Sequence, residues 1–328
     1  MTAAFPCAAC CDIGGTKVLI GFVDQAGNVL ARERYLLRAP REPAEVAAEV
    51  AARFRRLAGQ TGLAWEAVIG VGCSVAAMLD AEKGVIFSAP NLGPWQGAPF
   101  AAILREATGL PVWLEMDAQA AALGEAWKGA GVGAEHLVYV VVGTGIGAGI
   151  LVHGRVYRGW RGTAGEFGHT TVEPDGPPCN CGNFGCLEAL AAGPAIARRA
   201  EGALRQGRPT AIRDMAADGA VDARMVFDAA RHGDEVALEI VHKTADYLGV
   251  GLANLIALLN PEAIVLGGGI ARGAADLLLE PIRKAVARRC GSWVDLQGMR
   301  IVVGALGDDA GLLGAARQVW EAASSEAG

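Results

Sequence analysis

The chain has 328 residues, 52% hydrophobic but only 6% aromatic, with 46 glycines and a formal charge of −6. That length and apolar content allow two domains of ordinary size and argue against a disordered chain. The acidic balance, free of long charge runs, gives no footing for nucleic acid or an anionic membrane, and the composition points to an α/β protein packed with small side chains.

In chain order, residues 10–13 read as a short apolar strand, Gly14-Gly15-Thr16-Lys17 as a turn and 18–23 as a second strand. Asp24 to Gly27 signals a hairpin into a third strand from Val29. Val46, Val50, Phe54 and Leu57 recur at helical spacing, which predicts an amphipathic helix after Pro43. A buried strand over 67–73, a long loop through Pro90-Asn91-Leu92, a helix over 99–107 and a strand over 112–116 follow, with an Ala-rich helix from about Asp117. The pattern then repeats: strand 137–142, a glycine turn at 143–147, strand 148–152 and a tight His153-Gly154 hairpin. Two strand–Gly/Thr turn–strand–hairpin units suggest two related halves. The remainder reads as mostly helical, with a long helix over 234–259, a strand at 264–266, a Gly267-Gly268-Gly269 turn and a closing helix from Asp309.

The most apolar run, 137–152, falls short of the roughly 20 residues a spanning helix needs, and its glycines argue for strand, turn, strand. No positive charge precedes Lys17, so no signal peptide is expected. Cys7, Cys10, Cys11, Cys73 and Cys290 read as spare thiols, which suits a reducing cytoplasm.

The other three cysteines lie in the segment 165–188. There His169, Cys179, Cys181 and Cys186 supply a Cys₃His set for tetrahedral zinc. A closed shell of that kind is structural, and it would fix where Glu166 and Glu188 point. Glycine turns after strands expose N–H groups to an anion, and Thr adds a hydroxyl donor, so Asp12-x-Gly14-Gly15-Thr16-Lys17 and Gly143-Thr144-Gly145 read as two phosphate cradles. Each turn alone could equally be a plain β-turn. Neither has Walker spacing, and Gly143 to Gly149 leads into a strand, which disfavours a dinucleotide fingerprint. Asp117 closes a strand and opens a helix. It is either a structural N-cap or an acid able to accept a hydroxyl proton during phosphoryl transfer. Asn91, Glu166, His169 and Glu188 suit a polyhydroxylated ligand.

Together these residues resemble the ROK family of sugar kinases and sugar-responsive repressors over nearly the whole chain. Asp12-Ile-Gly-Gly-Thr-Lys17 is similar to the family's first phosphate motif and Gly143-Thr-Gly-Ile-Gly-Ala-Gly149 to its second. Glu166-Phe-Gly-His169 with Cys179-Asn-Cys-Gly-Asn-Phe-Gly-Cys-Leu-Glu188 resembles the family signature, and Ile264-Val-Leu-Gly-Gly-Gly269 the adenosine motif. The resemblance implies a two-domain actin-like, ribonuclease H-like ATPase fold of hexokinase type with an interdomain cleft. It implies ATP- and Mg²⁺-dependent phosphorylation of a hexose 6-hydroxyl, glucokinase type. Asp117 would be the base, and Asn91, Glu166, His169 and Glu188 would bind sugar hydroxyls. Gly14, Gly15, Thr16, Lys17, Gly143, Thr144 and Gly145 would meet the ATP phosphates, Gly267 and Gly268 the adenosine, and Asp12 the Mg²⁺. A homodimer is implied as well.

Residues 1–117 are expected to form a small N-terminal α/β domain, with the helix of 309–328 packing back on it. Residues 118–308 would form a large domain carrying the zinc loop, with a hinge near Asp117. Two positions depart from the glucokinase pattern. Met116 stands where an asparagine is usual, and Ala76-Ala77 where a Pro-Gly turn is usual. They leave open a kinase for fructose, mannose or N-acetylmannosamine. A polyphosphate donor is a separate alternative, against which the sequence shows no dense basic groove. A non-catalytic sugar sensor is the remaining alternative. The phosphate motif at residue 12 leaves no room for an upstream winged helix, which disfavours it.

Overall fold

A computed structural model describes residues 6–37, 41–216 and 219–326. Strand β1 (Cys7–Ile13) is buried along its length except at Asp12. β2 (Lys17–Asp24) returns beside it in antiparallel register, with Ile13 opposite Val18. β3 (Val29–Leu36) alternates half-buried and exposed positions over most of its length, as an edge strand should. Pro43 starts α1 (Pro43–Thr61), and Gly62, at φ 73°, ends it in the left-handed conformation. The buried face of α1 includes Val46, Val50, Phe54 and Leu57, as their spacing predicts.

β4 (Val68–Val75) runs parallel to β1. A small hairpin of β5 (Met78–Asp80) and β6 (Val85–Ser88) then occupies part of the span read as one long loop. Strands of three and four residues are too short to leave a periodic trace. α2 (Phe100–Thr108), β7 (Val112–Met116) parallel to β4, and α3 (Asp117–Lys128) follow.

Next come β8 (Leu137–Val142), β9 (Ile146–Val152) and β10 (Arg155–Val156). His153 at φ 52° and Gly154 at φ 71° make the β9–β10 turn the two-residue, left-handed type that matches strand twist. The helical stretch comprises α4 (Leu187–Ala191), α5 (Gly193–Arg205), α6 (Ile212–Met215), α7 (Ala223–Arg231) and α8 (Glu235–Leu259). The Asp234 carboxylate caps α8 by accepting from Ala237 N–H at 2.9 Å. After β11 (Ala263–Gly267) the three-glycine turn is in fact the entry to a short helix, α9 (Gly268–Gly273), with Gly267 as its N-cap. α10 (Ala275–Cys290), β12 (Arg300–Val303) and α11 (Ala310–Glu326) complete the chain.

Two five-stranded sheets result, ordered β3-β2-β1-β4-β7 and β10-β9-β8-β11-β12. In each, the first strand lies third, its two hairpin partners lie on one side, and two later strands lie on the other. That shared order bears out the two related halves expected from the repeated turn units, and the fold is the actin-like ATPase fold of hexokinase type.

The chain divides into two compact units. One holds the described residues up to Glu135, residues 149–164 and those from Asp308 onward; the other holds 136–148 and 165–307. Asp117 lies inside the first. In that unit α11 packs on α3, β1 and β4. Glycines permit the approach: a Cβ on Gly72 would stand 2.0 Å from the Ala315 carbonyl oxygen, and one on Gly314 1.6 Å from that of Ala120. Among the described residues no helix is long and apolar enough to cross a membrane.

Candidate active site

In the first unit, the Gly14 N–H donates to the Lys17 carbonyl at 3.0 Å and closes the turn between β1 and β2. A Cβ on Gly15 would stand 2.8 Å from the Asn91 Cβ, so only glycine lets the Asn91 loop lie against this turn. Thr16 and Lys17 are exposed. The Lys17 ammonium lies 3.5 Å from Asp308 Oδ2. Asp12 Oδ1 accepts from the Ser74 hydroxyl at 2.6 Å. Burial pushes the Asp12 carboxyl up, opposed by Ser74 and the charge of Lys17. A carboxylate desolvated in this way favours a bound cation, so the site fits Mg²⁺.

Asp117 is the exposed first residue of α3, and its Oδ1 accepts from Ala118 N–H at 2.8 Å. Met116, at the N-cap, belongs to the hydrophobic core and is 8% exposed, so it fills space and presents no polar group. The Ala76 N–H donates to the Ile13 carbonyl at 2.9 Å, which prolongs the β1–β4 pairing. Neither Ala76 nor Ala77 has a left-handed backbone.

In the second unit, Gly143 N–H donates to the Gly145 carbonyl at 2.9 Å, and Gly193 N–H donates to the Gly143 carbonyl at 2.9 Å. Glu188, in the first turn of α4, accepts from Ile146 N–H through Oε2 at 2.9 Å. The same oxygen would lie 2.7 Å from a Cβ on Gly145, which explains the glycine. Glu188 is thus tied to the second glycine turn. Gly143 and Thr144, with Gly193, Pro194, Gly269 and Ile270, line a pocket of about 530 Å³. Gly267 and Gly268 are absorbed by packing: a Cβ on the former would meet the Tyr139 hydroxyl at 1.9 Å, and one on the latter the Val142 carbonyl at 2.5 Å. Their successors Gly269 and Ile270, at the start of α9, reach the pocket wall. Sequence reasoning had Gly269 only as the end of the adenosine-like motif and missed Ile270, because it took the start of α9 for a turn. It also missed Gly193 and Pro194, which carry no motif of their own.

The liganding atoms of His169, Cys179, Cys181 and Cys186 all lie within 4.8 Å of one another. Cys181 Sγ is 3.7 Å from Cys186 Sγ, and Cys179 Sγ is 3.6 Å from His169 Nδ1. Tetrahedral zinc with ~2.3 Å bonds to sulfur separates its sulfurs by about 3.8 Å, so the donor set fits that metal. Burial pushes the Cys186 thiol up to about 12, while the Asn183 N–H holds Cys181 below its ordinary value. The other nitrogen of His169, Nε2, lies 3.8 Å from Glu166 Oε2. One ring thus joins the cysteine cluster to the Glu166 carboxylate.

The chain is similar to several known proteins. The profile described as ROK family matches residues 8–321. A glucokinase of Halalkalibacterium halodurans is 39% identical over 306 residues, 92% of each chain. The crystal structure of a ROK hexokinase from Thermus thermophilus superposes with a TM-score of 0.81 at 37% identity, covering 98% of this chain and 100% of the other. A ROK family glucokinase from Streptomyces griseus, in complex with glucose and AMPPNP, gives 0.78 at 33% identity over 95% and 98%.

Proposed function

The chain belongs to the ROK family, and from that premise we propose that it is an ATP-dependent hexokinase, glucose being the preferred acceptor and the 6-hydroxyl the site of transfer. The observation that carries the reading is the His169 ring. Its Nδ1 sits in the cysteine cluster and its Nε2 faces Glu166. A histidine anchored in the cysteine cluster with a carboxylate beside it is suited to a ligand rich in hydroxyl groups.

Asp117 accepts the proton of the acceptor's primary alcohol as that oxygen attacks the terminal phosphorus of ATP. The bond to the bridging oxygen breaks, and ADP leaves. Asn91, Glu166, His169 and Glu188 hold the ring hydroxyls, with Oε1 of Glu188 the oxygen not engaged by Ile146. Thr16, Lys17, Thr144 and the glycines around them meet the phosphates, and the pocket flanked by Gly269 and Ile270 takes the adenosine. Asp12 would hold Mg²⁺, which neutralises phosphate charge. His169, Cys179, Cys181 and Cys186 would hold zinc, which stiffens the loop. The eight cysteines are all unpaired, which supports a reducing cytoplasm as the working compartment. A homodimer is the expected assembly.

The test is a panel of hexoses crossed with ATP and polyphosphate, read as kcat/KM. Glucose with ATP should lead. Turnover of no sugar would favour a sensor instead.

A further inference from the structure

The segment just before Glu166 carries a feature that the phosphoryl-transfer scheme does not use. Ala164 N–H donates to the Arg158 carbonyl at 3.0 Å and closes residues 158–164 into a small loop, with Gly159 and Gly162 at φ 68° and 82°. Its two ends are fastened on either side of Asp117. The Arg158 guanidinium pairs with the Glu115 carboxylate, which is wholly buried and also accepts from Gln318 Nε2 at 2.7 Å. The Ala164 carbonyl accepts from Gln119 Nε2 at 3.0 Å, and Gln119 is 1% exposed. Glu115 stands two residues before the base and Gln119 two after it. A Cβ on Gly162 would come within 2.8 Å of the Leu79 carbonyl oxygen, so the loop also lies on β5.

At the tip of this fastened loop Trp160 is 89% exposed, more than any other large apolar side chain among the described residues. The Arg161 guanidinium lies 4.3 Å from its ring centroid. A cation over one face leaves the other face of the indole open.

We infer that Trp160 is a further acceptor-binding residue, whose open face covers the apolar C–H face of a pyranose held at Asp117. The inference rests on the hexokinase reading and names what recognises the side of the sugar that hydrogen-bonding groups cannot. A loop tethered at both ends to buried side chains is costly to move, so it offers the indole from a defined place relative to the base. A pyranose ring is amphipathic: its hydroxyls suit hydrogen-bonding groups, and its axial C–H patch suits an aromatic plane. The Arg158 and Gln119 tethers act through the loop and are positioning residues.

The experiment uses Trp160→Ala and Trp160→Phe in the full chain. At saturating ATP, the alanine variant should raise the hexose KM about tenfold, with kcat and the ATP KM within about twofold and thermal stability unchanged. The phenylalanine variant should recover most of the loss. Without nucleotide, the sugar should protect part of the tryptophan fluorescence of the wild type from acrylamide, and that protected part should be absent from Trp160→Ala. An unchanged hexose KM in an active Trp160→Ala enzyme overturns the inference. So does an unchanged sugar affinity accompanied by a changed oligomeric state, which would make Trp160 a contact between copies. If the wild type turns over no hexose, the kinase reading fails instead, and the quenching measurement, which needs no chemistry, still decides the role of Trp160.

Discussion

The two glycine turns occupy equivalent places in equivalent sheets, yet they are built for different ends. The turn at Gly14–Lys17 carries a cation at its end and a desolvated carboxylate just before it, and Gly15 is required because the Asn91 loop lies on it. The turn at Gly143–Gly145 has no charge of its own; its acid, Glu188, arrives from α4, and Gly143 faces open space at a pocket. Each sheet then spends its next stretch of chain differently. The first continues from its hairpin into α1 and on to β7 and Asp117, and the second continues into the cysteine loop. A repeated scaffold thus yields one half with a cation and carboxylates at its turn, and another with a pocket and a cysteine–histidine cluster.

Breaking the halves separately should give separable losses. Asp117→Asn in the first should lower kcat by on the order of 10²-fold or more while sugar still binds; turnover near normal would remove Asp117 as the base. Cys179→Ser in the second should reduce zinc below the one ion per chain expected of the wild type, with hexose kcat/KM falling about 10- to 100-fold. Metal analysis showing none in active wild-type protein would reject the zinc site.

The turns themselves sharpen the contrast. Gly15→Ala must displace the Asn91 backbone and should cost about 1–3 kcal/mol of stability, visible as a lowered denaturant midpoint. Gly143→Ala meets nothing within 4 Å. It should leave stability intact and instead raise the KM for ATP. Equal effects on stability would mean the two turns are not differently built.

The smallest effect concerns Glu115. Burial raises its carboxyl above the ordinary value, against the pull of Arg158. The folded protein therefore retains a proton that the unfolded chain has already released, and stability falls as pH rises through that interval. Compared with Glu115→Gln, the wild type should lose ground in urea midpoints as pH rises above the ordinary carboxylate range. A wild type that gains ground would show the ion pair outweighing burial.

Much of this was legible in the residues. Glycine after an apolar strand, the 3.6-residue spacing on α1, and three cysteines with a histidine in one short segment are local signals, because backbone freedom, helix periodicity and metal ligation act over a few positions. The hairpin of β5 and β6 was not legible, since three residues cannot display a period, and α9 hid behind glycines that usually end structure. Met116 illustrates the limit well. The sequence marked it as a departure, but only its burial showed that it had become part of the core.

By itself, then, the chain determined two repeated turn units, a Cys₃His loop and the acid at the mouth of α3. The tertiary structure alone decided which glycines face a pocket and which merely admit a neighbour, as with Gly269 against Gly267. It alone brought Gln318 to Glu115 across 203 residues and fastened the Trp160 loop on both sides of Asp117. Such contacts depend on packing between distant segments, and no short-range pattern encodes them.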